Sequence, residues 1–347
     1  MTDFLDVDVL GLRTRIEFGE DLDATQRRRA HDAWSGARRL DHGIPDLTHP
    51  LTAGADFDRA MERLTVDVTL SALERLRGRA LMFHAAGVAD PAGHVAAFVG
   101  PSGRGKTTLS RELGRHGAYV SDETIAVDDE LRVQPYRKPL SVVREARPKE
   151  QVSPMAAGLR DLPDAELSLT ALMLMDRDAA LPAPEVVDVP LAEALPELVA
   201  QMSYLRDQDL PLQTLAALCD AVGGVRRLRY ADASTVAALL PQLSTPRPSV
   251  SEWEPAPEAT TTGPYDVSCV DDAIVSDRFV IAMAQATLHV LDGIAPTVWL
   301  AAGQGRDLDG IVDAVIDEYG EPPQGNARAL VVQAIDELIA AGVLRRR

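Results

Sequence analysis

The run Val95-Ala96-Ala97-Phe98-Val99-Gly100-Pro101-Ser102-Gly103-Arg104-Gly105-Lys106-Thr107-Thr108 decides how the longer part of this chain folds. Its five opening apolar residues, ending at a glycine, predict a short buried strand. Thr107 to Gly114 predicts the helix that follows. Between them, Gly100 to Thr107 satisfies the pattern G-x-x-x-x-G-K-[S/T] in full. Glycine permits backbone conformations that a side chain forbids, so successive N–H groups can converge on one point at the positive end of the helix. Such a point suits phosphate. The expected ligand is a nucleoside triphosphate, ATP with Mg²⁺, held by Gly100, Ser102, Gly103, Arg104, Gly105, Lys106, Thr107 and Thr108. Lys106 brings a mobile charge to the β- and γ-phosphates, and the Thr107 hydroxyl is placed to ligate Mg²⁺. Arg104 otherwise reads as a solvated loop residue.

Downstream, Ala118-Tyr119-Val120 predicts a second buried strand that runs into Ser121-Asp122-Glu123. Two carboxylates at a strand end beside a phosphate loop suit phosphoryl transfer. One can hold Mg²⁺, directly or through water, and the other can take the proton of an attacking hydroxyl. Asp128-Asp129-Glu130 instead reads as a solvated turn. Tyr136-Arg137-Lys138-Pro139 and Arg144 supply positive charge further on, and any of Arg137, Lys138 and Arg144 could serve the developing phosphoryl charge. Upstream, His84 stands between Leu81-Met82-Phe83 and Ala85-Ala86-Gly87. A lone histidine in such surroundings is usually structural. Before it, Asp6 to Phe18 alternates as strands do, and Asp23 to Leu40 and Ala60 to Arg79 predict helices. Leu169 to Met175 predicts a strand, and Leu191 to Arg206 and Leu212 to Val222 predict helices. Strands alternating with helices imply an α/β domain.

The 347 residues are 46% apolar and carry a net charge of −18. That length implies two domains. That charge argues against general affinity for nucleic acid or an anionic membrane surface. Cys219 and Cys269 are the only cysteines, in no metal-like spacing, so a reducing compartment is expected. The acidic N-terminus is unlike a signal peptide, and no apolar run is long enough to span a bilayer. A cytoplasmic protein is expected, with self-association into a homo-oligomer left open. Lysine occurs only at Lys106, Lys138 and Lys149.

The constellation of His84-Ala-Ala-Gly-Val, a strand into the phosphate loop, and Val120-Ser-Asp-Glu123 resembles the bacterial HPr kinase fold. Those P-loop serine kinases are related in fold to phosphoenolpyruvate carboxykinase. The resemblance spans Leu81 to Val127 and continues weakly to Leu243. It implies that Lys106 and Thr107 take the phosphate and Mg²⁺ positions, that Asp122 is the general base, that Glu123 serves the metal, and that His84 lies near the active site. The family's usual acidic pair is Asp-Asp, so Glu123 is a departure. The family's later glycine-rich, arginine-containing signature has no counterpart in Ala157 to Leu174. The chain looks closer to HPr-kinase-like enzymes that phosphorylate a serine of ribosomally made peptides.

Ser244 to Pro264 is rich in proline and threonine and predicts an extended tether. It divides a kinase-like domain, 1–243, from a small C-terminal one, 265–347. In the latter, Asp266 to Val270, Phe279 to Ala284 and Thr287 to Leu291 predict strands. Thr297 to Ala302, Leu308 to Tyr319 and Ala327 to Ala341 predict helices. This is a winged-helix-like α+β layout, but without a basic recognition helix. It resembles the PqqD-like recognition elements of peptide-modifying enzymes, in which a leader peptide adds a strand to a sheet edge beside the last helix. The resemblance implies that Leu288, His289, Val290 and Leu291 form the edge, with Val331, Val332 and Ile335 on the facing helix. The bland reading makes those apolar residues core. Together the two modules imply an ATP-dependent kinase for the serine or threonine of a precursor peptide captured by its leader. The alternatives are a small-molecule (amino-acid) kinase and a non-catalytic, nucleotide-dependent peptide-delivery protein.

Overall fold

The strand predicted before the phosphate loop lies in the middle of a six-stranded mixed sheet. In the computed structural model, which describes residues 4–41, 43–142, 150–323 and 326–347, this sheet comprises Ala85–Ala89 (β1), His94–Val99 (β2), Ala118–Ser121 (β3), Ser168–Arg177 (β4), Glu185–Val189 (β5) and Val225–Tyr230 (β6). Their order is β5-β6-β4-β2-β1-β3. β4 runs parallel to both β2 and β6, with Phe98 opposite Met173 and Leu172 opposite Val225. The remaining pairings are antiparallel. Central strands buried on both faces read as continuous apolar runs, and Val95 to Val99 is fully buried. Helix Lys106–Leu113 (α1) places Leu109 and Leu113 in one core cluster with Phe98, Met173 and Leu228.

Three strands of this sheet, β1, β5 and β6, carry no strand signal in the sequence pattern. β6 reads Val-Arg-Arg-Leu-Arg-Tyr, a composition that suggests solvent. Its charges find partners across the sheet. Arg229 pairs with Asp176 at 3.2 Å and with Glu185 at 2.5 Å, and the buried Arg226 donates to the Leu243 carbonyl at 3.2 Å. Buried polar groups persist where they are hydrogen-bonded.

A second sheet, of Met202–Ser203, Leu81–Phe83, Ile125–Val127 and Val133–Gln134 in that order, belongs to the same compact unit. So does the N-terminal sheet of Phe4–Val9, Leu12–Phe18 and Leu47–Leu51. Helix Ala24–Ala33 begins at Asp23, which accepts from Thr25 and Gln26 in a capping box. Helix Phe57–Arg75, capped by Asp56, begins three residues earlier than the apolar spacing suggested. Leu191 to Arg206 is not one helix. It ends at Val199, and the chain turns so that Met202 pairs with Phe83 and Ser203 with Met82.

The chain forms two compact units, and their boundary differs from the expected cut at 243. One unit comprises residues 1–189, 200–207 and 222–249, and the other 190–199, 208–221 and 250–347. Helices Leu191–Val199 (α2) and Pro211–Ala221 (α3) therefore belong with the C-terminal residues. The buried Asp272 carboxylate accepts from the backbone N–H groups of Leu212 (2.7 Å) and Gln213 (3.0 Å), capping α3. The expected tether is largely built into this second unit. Val250 N–H donates to the Asp220 carbonyl, Glu254–Pro255 pairs with Val275 and Ile274, and Thr260 N–H donates to the Gly303 carbonyl. Proline is tolerated in such an edge strand because no N–H is needed there.

The second unit also holds strands Asp272–Ser276 (β7), Phe279–Ala284 (β8) and Thr287–Leu291 (β9), then helices Ala295–Gly303 (α4), Leu308–Tyr319 (α5) and Ala327–Ala340 (α6). Three strands and three helices appear in the expected order, but the first strand is displaced. Of the expected Asp266–Val270 only Asp266 pairs, with Arg345, after Tyr265 pairs with Arg346. Asp266 then accepts from Ser268 N–H and Oγ in a local turn, which ends the strand. Trp299 anchors the core and donates its indole N–H to the Val343 carbonyl at 2.9 Å. Among the described residues no helix is long and apolar enough to cross a membrane.

Candidate functional site

The phosphate-loop motif is a loop between β2 and α1. Gly103 (φ 80°) and Gly105 (φ 96°) take left-handed conformations that disfavour any other residue. Gly105 is the N-cap of α1, and no side chain caps that terminus. The first-turn N–H groups of α1 thus have no side-chain cap to accept from them. Helices Ala24–Ala33 and Phe57–Arg75 have aspartate caps at the same position.

Lys106 departs from one expectation. Expected as a mobile charge, it is buried, and its ammonium donates to the carbonyls of Gly100 (2.5 Å) and Pro101 (3.1 Å). Burial lowers its pKa, against the pull of Asp122 and Glu123.

These residues open onto a cleft of about 460 Å³ lined by His84, Ser102, Gly103, Gly105, Lys106, Thr107, Thr108, Asp122, Glu123, Lys138 and Ser141. The fold thus joins four separate sequence segments, among them the phosphate loop, the acidic pair and His84 that were expected to share one site. Gly100 and Arg104 are not among the lining residues, although both were expected to touch nucleotide. Gly100 instead receives Lys106.

The acidic pair sits where β3 ends. Ser121 Oγ accepts from the N–H groups of Glu123 and Thr124, both at 3.1 Å, which turns the chain and fixes the two carboxylates. Asp122 is buried, and its Oδ1 has no hydrogen-bond partner. Behind it, Tyr119 is fully buried. Burial, reinforced by the Asp122 charge, pushes its phenol well above the usual value.

His84 Nδ1 lies 3.0 Å from the Glu123 carbonyl oxygen, and the His84 backbone N–H donates to the Gln201 carbonyl at 2.7 Å. A carbonyl only accepts, so Nδ1 carries the proton and Nε2 is the free acceptor. Burial, then Lys106, lowers the His84 pKa.

Of the downstream cations among the described residues, Arg137 and Lys138, it is Lys138 that lines the cleft. Tyr136 anchors the segment, donating its N–H to the Val120 carbonyl and sharing a 2.6 Å hydrogen bond with Thr69. Lys138 Nζ then lies 3.0 Å from Glu123 Oε2 and 3.5 Å from Asp122 Oδ1. Burial opposes its charge, but the two carboxylates outweigh burial and raise its pKa. Arg137 is committed to Asp161 at 2.8 Å and to the Arg160 carbonyl. Arg144 lies outside the described residues. Ser141, which no sequence signal marked, lines the cleft, and its Oγ accepts from Gln151 at 3.0 Å.

Among the described residues no cluster of three His, Cys, Asp or Glu side chains is arranged to hold a metal. The oxygens present are the Thr107 hydroxyl, the Glu123 carboxylate and Asp122 Oδ1, which accepts no hydrogen bond. That set suits a Mg²⁺ that draws most of its ligands from phosphate and water. It does not suit a metal caged by protein alone.

In the second unit, β9 is an edge strand, paired with β8 alone among the described residues. Leu288, His289 and Val290 are half-buried there, and α2 runs close by. Leu291, Val331 and Ile335 were expected to face a peptide, but they are packed in the core with Trp299 and Leu338. Val332, 37% exposed, is the member of the α6 set that remains at the surface.

A scan against protein-family models finds no match, and a search of curated proteins finds no relative.

Proposed function

We propose that the cleft binds Mg²⁺-ATP and transfers the γ-phosphoryl group to a serine or threonine hydroxyl of a peptide. The observation that carries this reading is the junction of an uncapped helix N-terminus with two carboxylates. α1 has a left-handed glycine N-cap, and it opens onto the same cleft as Asp122 and Glu123. The first feature suits an anion, and the second suits an attacking hydroxyl and a metal. In this reading the loop amides and Lys106 hold the phosphates. Asp122 accepts the hydroxyl proton as the oxygen attacks phosphorus and ADP leaves. Its Oδ1 has no competing hydrogen bond. Thr107 and Glu123 would hold Mg²⁺, which supplies charge neutralisation at the phosphates. His84 braces the backbone of the acidic pair through the Glu123 carbonyl.

The peptide part of the proposal rests on β9. An extended leader can add a strand to its outer edge, with backbone hydrogen bonds giving grip. Leu288, His289, Val290 and Val332 are the residues left to meet it.

The test is two measurements on the full chain. Calorimetry should detect Mg²⁺-ATP binding that Lys106→Ala abolishes. Labelled γ-phosphate should then pass to a short precursor peptide encoded by a neighbouring gene, and more slowly once its leader is removed. ATP binding without transfer to any such peptide would favour the delivery-protein alternative. Equal transfer to a leaderless peptide or a free amino acid would favour the small-molecule kinase.

A further inference from the structure

Lys138 has no task in the proposal above, yet its placement is specific. Only three of the chain's 35 basic residues are lysine. Both lysines among the described residues, Lys106 and Lys138, line this one cleft. Its neighbour Arg137 is spent on Asp161 and the Arg160 carbonyl. A compact ammonium differs from a guanidinium in fitting a tight site as a point charge with three rotatable donors.

The geometry leaves part of that capacity free. Glu123 Oε2 at 3.0 Å occupies one donor. Asp122 Oδ1 and the Pro139 carbonyl, each at 3.5 Å, are looser partners. Charge gives a second argument. Two adjacent carboxylates, one of them buried, repel a polyphosphate tail that must come close enough for transfer. A cation standing between the carboxylates removes that repulsion at the terminal phosphate. Lys106 cannot do this alone, because it lies at the root of α1 and holds the Gly100 and Pro101 carbonyls.

We propose that Lys138 is a second phosphoryl-contacting cation, which donates to the terminal phosphate of a nucleoside triphosphate while bridging Asp122 and Glu123, and so makes the cleft prefer tri- to diphosphate. The inference rests on the nucleotide reading and adds to it a specificity that the phosphate loop alone does not supply.

Calorimetry of the full chain with Mg²⁺-ATP and with Mg²⁺-ADP tests it. In Lys138→Met, ATP affinity should fall by on the order of tenfold or more, the loss of one charge-assisted hydrogen bond. ADP affinity should stay within about threefold, inside the scatter of non-contact effects. A lysine that only braces the acidic pair would weaken both nucleotides alike, and that result overturns the proposal, as does unchanged ATP binding. Lys138→Met strands two carboxylates and can fail to fold. The comparison of Glu123→Gln with Glu123→Gln/Lys138→Met then decides, because the double variant loses one charge of each sign. There too the added loss should appear for ATP and not for ADP, and an equal loss for both again overturns it. A wild-type chain that binds neither nucleotide refutes the nucleotide reading itself, and this inference falls with it. A chain that binds both equally well refutes only the inference.

Discussion

His84 Nδ1 lies 3.0 Å from the carbonyl oxygen of Glu123, so a side chain at the end of one short strand holds the backbone of the acidic pair 39 residues away. The hydrogen bond requires a proton on Nδ1, and burial, then Lys106, disfavours a second proton on the ring. His84 should titrate below its ordinary value, about 6.5. Its sign follows from linkage. The unfolded chain takes up the proton first as pH falls, so stability from neutral His84 is full above about 6.5. It is lost as pH falls through the lower folded value. Denaturant melts at pH 5 and pH 8 should show a smaller difference in His84→Gln than in the wild type. An NMR titration that puts His84 above 6.5 would contradict the burial argument.

Asp122→Asn should lower kcat by on the order of 10² to 10⁴ while ATP affinity changes little. The amide can still hydrogen-bond a hydroxyl but cannot take its proton. Steady-state rates and calorimetry on the same preparation separate the two effects. Lost affinity with an undiminished rate at saturation would make Asp122 the metal ligand and pass the base role to Glu123.

Lys106→Ala should abolish nucleotide binding and also cost stability. An exposed lysine would contribute almost nothing, but this one is buried against two carbonyls. Hydrogen bonds from charged donors contribute about 1.5–3 kcal/mol each where both partners are desolvated, and partial exposure of the loop places the expected loss at the low end. Urea melts measure it. A variant as stable as the wild type would mean that the two carbonyls find other donors.

Cleaving the chain between 244 and 249 should not release two independent pieces. Helices α2 and α3 precede the cut yet pack with the residues that follow it. The nicked protein should elute as one species under native conditions and as two in denaturant. Asp272→Ala should destabilise that unit by about 1–2 kcal/mol, because three hydrogen bonds to Leu212 and Gln213 are lost at a helix N-terminus. Spontaneous separation of the nicked pieces would show that α2 and α3 are dispensable to the C-terminal residues.

The local features of this chain were legible in its sequence because they depend on near neighbours. Val95 to Val99 with Gly103 and Gly105 specifies strand, turn and helix through apolar runs and glycine φ angles, and the structure follows it closely. The Ser121-Asp122-Glu123 turn and the three C-terminal helices are local in the same sense. What depends on distant partners was not legible. The arginine-rich β6 is a strand because Asp176 and Glu185 neutralise Arg229 across the sheet. Leu191 to Arg206 breaks at Val199 because Met202 and Ser203 pair with a strand 120 residues earlier. Val331 and Ile335 are core rather than surface because Trp299 packs against them in the same cluster. Helices α2 and α3 join the C-terminal unit through a carboxylate that lies beyond the proline-rich run. The choice between Arg137 and Lys138 was equally closed to the sequence. Adjacent residues point to opposite sides of an extended segment, and only the placement of Asp161 and Glu123 decides which cation enters the cleft.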